Sequence, residues 1–240
     1  MTGRGFLGDY PRVRRVESFE ELVSSEFIDG VNAFCWERVL EGDFAEVASL
    51  LATDPAIEEG ITRVEEERLL ALPLSAAGRL AVEALLADQQ LLRSRELEPG
   101  LDFINGSLRD LSGAPVATHV YSFHADSATA QADTYLCTYH GAASEGLRNE
   151  DAVRHVDIPE TRARLLDFFG GEDGPAFQEY LSAHFFDLHY APVAGARPFG
   201  FGCYNLWRIA VQYPGSPVPP CVHRAPETRP GDIPRLLLIS

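Results

Sequence analysis

Apolar and polar positions alternate most clearly from Val116 to Tyr139, VATHVYSFHADSATAQADTYLCTY, where two strand-like runs flank a polar loop. Val116–Phe123 and Ala132–Tyr139 are expected as strands, because side chains on an extended chain alternate faces with period two. The first hundred residues carry a longer period. Asp43 is placed to cap a helix with Phe44, Val47, Leu50 and Leu51 at helical spacing, and Asp54-Pro55 stops it. Ser75 to about Arg95, with Leu80, Leu85 and Leu92 on related faces, predicts a longer helix, and Phe19–Val23 a short one. Val31–Trp36 reads as a buried strand bounded by Asp29-Gly30.

From Leu101 the pattern is mainly that of strands. Leu101–Leu108 precedes turn chemistry in Asp110-Leu111-Ser112-Gly113-Ala114-Pro115. Gly141 to about Gly174 is polar and acidic, with a helix over Thr161–Phe169, and reads as an insertion over the sheet. Phe177–His184 suits a helix, and Phe185–Tyr190 fits a helix end or a strand. Tyr204–Tyr213 and the runs at His223 and Pro234–Ile239 complete a β-rich second half. The expected fold class is α+β: a mainly helical layer over residues 1–100, packed in one domain on an antiparallel sandwich or barrel of the jelly-roll type over 101–240.

Composition narrows the partners. With 45% hydrophobic residues over 240 positions, a sizeable core is expected. The formal net charge of −16 disfavours nucleic acid and anionic membranes. All 20 basic side chains are arginine, which removes P-loop and Schiff-base lysines. Cys35, Cys137, Cys203 and Cys221 are widely spaced and read as reduced thiols. MTGRGFLGDYPRVRR lacks the apolar run of a signal peptide, and no stretch approaches a membrane span, so a cytoplasmic protein is expected.

His124 and Asp126 lie two positions apart at a strand end and therefore face the same side. His223 sits far along in Pro220-Cys221-Val222-His223-Arg224-Ala225-Pro226 and offers a third ligand. Two histidines and one carboxylate leaving other positions open make the facial triad of non-heme iron sites. A second H-x-D, His155-Val156-Asp157, lies in a polar segment before Pro159 and reads as a surface turn. Because prolines crowd the approach to His223, His189 is the substitute ligand, whereas His119 and His140 read as packing or edge residues. Arg235, alone among terminal leucines, is costly to bury unless an anion meets it or a salt bridge holds it.

Taken together, F-H-x-D at Phe123–Asp126, L-C-T-Y at Leu136–Tyr139, V-H-R-x-P at Val222–Pro226 and R-L-L-L at Arg235–Leu238 carry a family likeness. They resemble the Fe(II)/2-oxoglutarate-dependent oxygenase superfamily, and more closely a largely uncharacterised bacterial group of this layout. The resemblance spans roughly residues 100–240, with an echo around Asn32–Val39. It implies a double-stranded β-helix with His124, Asp126 and His223 holding Fe(II) and Arg235 pairing the distal carboxylate of 2-oxoglutarate. A hydroxyl of Thr138 or Tyr139 would assist the cosubstrate. It further implies O2-dependent hydroxylation; the acidic balance and a size that leaves room for a modest cavity favour a free amino acid or small natural product as substrate. Arg224, Arg208 and the acidic residues from Glu145 to Asp151 are candidate substrate contacts. The rival readings are a cupin-like metal enzyme that does not use 2-oxoglutarate and a non-catalytic binding protein.

Overall fold

A computed structural model describes residues 10–57, 59–106, 113–227 and 231–240. The strand expected to run to Leu108, the turn from Asp110 to Ser112 and residues 1–9 therefore lie at least partly outside the described residues. In chain order the first part holds β1 (Val13–Val16), α1 (Phe19–Ser24), β2 (Ala33–Trp36), α2 (Phe44–Ala52), β3 (Gly60–Arg63), α3 (Glu66–Ala71) and α4 (Ala76–Arg93). Next come β4 (Gly100–Asn105), β5 (Phe123–His124), β6 (Asp133–His140), β7 (Glu145–Gly146) and β8 (Ala152–Arg154). They are followed by α5 (Pro159–Phe169), α6 (Pro175–Ala183), β9 (His189–Pro192), β10 (Phe199–Gly200), β11 (Leu206–Ala210), β12 (His223–Arg224) and β13 (Arg235–Ile239).

The helices start where side-chain caps are available. Ser18, Asp43 and Ser75 each accept a hydrogen bond from the backbone N–H three residues on, satisfying a donor that the first turn leaves unpaired. The apolar stripe of α2, Phe44, Val47, Ala48 and Leu51, is buried.

The architecture is mixed α+β with two sheets. One has seven strands in the order β1-β2-β11-β6-β13-β4-β3, all antiparallel except the β1–β2 pair. The other has six, β10-β7-β12-β5-β9-β8, antiparallel throughout. Period two divides the seven-stranded sheet between two cores. Phe34, Tyr135, Cys137, Tyr139, Leu236 and Leu238 pack under α1, α2 and α4. Cys35, Leu136, Trp207, Ile209 and Leu237 face the other way and meet Phe199, Phe201 and Cys221 from the second sheet and its connections.

One expectation is extended and two are corrected. Besides the expected strand β2, the mainly helical first hundred residues supply two strands that periodicity does not predict, β1 and β3, to the seven-stranded sheet. Of Val116–Phe123, only Phe123 enters a strand; upstream, the Ser122 hydroxyl donates to Ala117 O and His119 O, a local alternative to sheet pairing. The segment from Gly141 is not an insertion over a sheet, because β7 and β8 are strands of one. Among the described residues no helix is long and apolar enough to cross a membrane.

Candidate metal centre

The six-stranded sheet places histidines side by side on one face. His223 of β12 stands opposite His124 of β5, which on its other side stands opposite His189 of β9. Their neighbours Phe123, Val222 and Leu147 point the other way into a separate apolar cluster. The proline-rich approach to His223 is pinned by side-chain amides: Asn32 Nδ2 donates to Pro219 O and Pro220 O, and Asn149 Nδ2 donates to Pro220 O. A two-residue strand is therefore enough to aim His223. On its far side Gly146 leaves room that no side chain could share, since a Cβ there would lie 2.2 Å from the Phe199 ring.

Asp126 completes the group. His124 Nε2 lies 3.7 Å from Asp126 Oδ1, and His223 Nε2 lies 3.8 Å from Oδ2. These separations are too long for hydrogen bonds. They fit two ligands of one ion, since donors about 2.1 Å from a metal stand no more than about 4.2 Å apart. All three ligand atoms lie within 4.8 Å of one another, and among the described residues no other His, Cys, Asp or Glu cluster does this.

Backbone carbonyls fix the rings. His124 Nδ1 is 2.8 Å from Ser122 O and His223 Nδ1 is 3.2 Å from Cys221 O, which places the proton on Nδ1 and leaves each Nε2 a lone pair. Burial first, and then the neighbouring His223, pushes His124 down to about 4, so it is neutral and ready to ligate at neutral pH. Burial pushes Asp126 up, but His223, the Thr134 hydroxyl at 2.6 Å and His124 outweigh it, and the carboxyl lies below its ordinary value. Thr134 reaches Asp126 because it shares the inner face of β6 with Leu136. The same alternation marks Thr134 in the sequence, where only Thr138 and Tyr139 drew notice.

Arg235 is 1% exposed, on the β13 face that also carries Leu237 towards the second sheet. Its Nε donates to Ala142 O at 2.7 Å and its Nη2 to Ser144 Oγ at 3.2 Å, and among the described residues no carboxylate pairs with it. Gly141, at φ 79°, makes the turn; a Cβ there would lie 2.6 Å from Pro234 O. The segment holding Arg235 runs straight into β7, which pairs with the strand of His223. Burial lowers Arg235 to about 10, so it stays charged at neutral pH.

The remaining candidates divide by face. Thr138 pairs with Leu237 and lies on the inner side. Tyr139 does not: it stacks on Phe44 at 5.5 Å under the helices and donates its hydroxyl to Asp88 Oδ2 at 2.5 Å, which corrects its expected role at a cosubstrate. Adjacent strand residues cannot both face one site. His189 adjoins His124, with ring centroids 5.6 Å apart, yet stands outside the three-ligand group. His155-Val156-Asp157 forms a 3-10 turn, with Asp157 paired to Arg154. Arg224 pairs with Glu145 and Arg208 with Asp133, and Glu150 pairs with Arg12. Beside the triad is a cavity of about 250 Å³.

Comparison with family models, curated proteins and solved structures finds no match to this chain. The resemblance to the oxygenases rests on the residues themselves.

Proposed function

We propose that the protein is an Fe(II)/2-oxoglutarate-dependent oxygenase on a double-stranded β-helix, hydroxylating a C–H bond of a small molecule. The observation that carries this reading is an open three-ligand group together with a buried arginine that, among the described residues, meets only neutral acceptors. Two facing sheets, one wholly antiparallel, support the fold assignment.

His124, Asp126 and His223 would hold the metal on one side, which suits a catalytic rather than a four-ligand structural site. Iron and 2-oxoglutarate, when bound, supply the activation of O2. The chain supplies placement: the Ser122 and Cys221 carbonyls orient the imidazoles, and Thr134 holds one Asp126 oxygen. Arg235 retains Nη1 and the rest of its fork for a carboxylate, and burial removes the water that would compete with a planar bidentate pair. Asp126 in the ligand position leaves no place for a halide, which favours hydroxylation over halogenation.

The test is anaerobic addition of Fe(II) and 2-oxoglutarate, read by the weak visible charge-transfer band of the chelated cosubstrate. The band is expected in the wild type, lost in His223→Ala and weakened in Arg235→Met. Metal binding with no band would overturn the 2-oxoglutarate assignment in favour of a cupin-like enzyme, and no metal binding would leave a binding protein.

A further inference from the structure

A free amino acid needs a partner for its carboxylate, and the structure commits both arginines considered for that task elsewhere. Arg224 is closed on Glu145 at 2.7 and 2.8 Å and lies over the Phe123 ring. Arg208 spends its fork on Asp133 and the carbonyls of Leu22, Val23 and Ser25. Neither lines the cavity beside the triad, where, among the described residues, Asp126, already a ligand, is the one charged lining residue.

The rest of that wall has a definite chemistry. Val120, Phe185 and Leu188 make it apolar, and Val120 and Phe185 are 49% and 53% exposed at its mouth. Thr118, Ser127 and the ligand His124 also line it, and two further polar rings, His189 and His119, interrupt the apolar wall. His189 is 5% exposed, and its Nδ1 lies 2.8 Å from Phe185 O, so its Nε2 is an acceptor nitrogen on a ring that lines the cavity. Phe185 offers that carbonyl from a left-handed backbone, φ 58°, a conformation bulky residues avoid. That carbonyl, as an acceptor, fixes the proton on Nδ1 and leaves Nε2 to accept. His119 also lines the cavity, and its buried Nδ1 has no hydrogen-bond partner among the described residues.

We infer that the substrate is an uncharged, largely apolar small molecule whose hydroxyl or amide donates to His189 Nε2, with His119 as the second polar contact. Among the described lining residues a carboxylate would find no side-chain cation to meet it, and an ammonium would find Asp126 neutralised by the metal. His189 is thus a positioning residue. This inference rests on the metal-site reading above.

The experiment uses the full chain with Mn(II) and saturating 2-oxoglutarate, and three probes of similar size: 2-phenylethanol, 2-phenylethylammonium and benzylsulfonate. Binding is read by saturation-transfer NMR, which needs no metal, and proximity by manganese broadening of probe protons. The alcohol is expected to bind about tenfold more tightly than either ion and to be broadened. His189→Phe should remove that preference with Mn(II) affinity within about twofold, and His189→Gln, which keeps an acceptor, should retain most of it. Equal binding of either ion, no binding of the alcohol, or an unchanged preference in His189→Phe would overturn the inference. Failure of the wild type to bind Mn(II) would instead overturn the metal-site reading, and the saturation-transfer ranking would still decide the substrate class.

Discussion

Arg38 and Arg235 are both buried against the seven-stranded sheet, on opposite sides of it. Under the helices, Arg38 makes a two-pronged pair with Asp88 at 2.6 and 2.7 Å, and Asp88 also accepts from Tyr139. Between the sheets, Arg235 meets, among the described residues, a carbonyl and a hydroxyl only. Burial lowers the proton affinity of both, yet the Asp88 carboxylate overrides it at Arg38, which ends above the ordinary value, while Arg235 stays depressed. A structural arginine carries its anion within the chain. Arg235 has none among the described residues, and on this difference rests its proposed pairing with an anionic ligand.

The comparison is broken most severely at Arg38. Arg38→Met leaves Asp88 and Tyr139 buried with no cation and is expected to cost about 3–5 kcal/mol, measured by denaturant unfolding. A loss under about 1 kcal/mol would show that the pair is not the structural anchor described here.

Acidification acts on the other side. In the metal-free protein His124 is held near 4, below its ordinary 6.5, so the unfolded chain takes up its proton first. Stability is therefore full above about pH 6.5 and falls as pH drops towards 4, by up to roughly 3 kcal/mol. Unfolding midpoints across this range should slope in the wild type and flatten in His124→Gln; equal slopes would contradict the assignment.

A smaller effect sharpens the site itself. Thr134→Val removes the hydroxyl that holds Asp126 Oδ2 and should weaken metal binding about 10–100-fold, the usual consequence of losing an outer partner of a ligand. Calorimetric titration with Mn(II) checks this, and an unchanged affinity would mean Asp126 is oriented by its backbone alone.

Much of this was legible in the sequence, for physical reasons. Asp43 and Ser75 announce their helices through capping, and α2 and α4 lie close to the positions expected from periodicity. His124 and Asp126 follow from period two, and His223 from its place in a late strand. Spacing alone does not say which face of β6 meets the site, so it leaves both Thr138 and Tyr139 as candidates, and alternation sends them to opposite cores. β1 and β3 carry the exposed polar residues Arg14, Arg15 and Arg63 at sheet edges, and are fixed by neighbours distant in sequence. The left-handed backbone of Phe185 has no local signal in the sequence, because nothing about its residue type favours it.

The most direct measurement of the central contrast is the affinity of the Mn(II)-loaded protein for 2-oxoglutarate, in wild type and Arg235→Met, with thermal unfolding recorded alongside. Loss of the buried cation is predicted to weaken 2-oxoglutarate by about 30-fold or more, while the melting temperature holds or rises because an unpaired buried charge has been removed. Unchanged affinity, or a stability loss as large as that of Arg38→Met, would make Arg235 a second structural arginine and contradict the account.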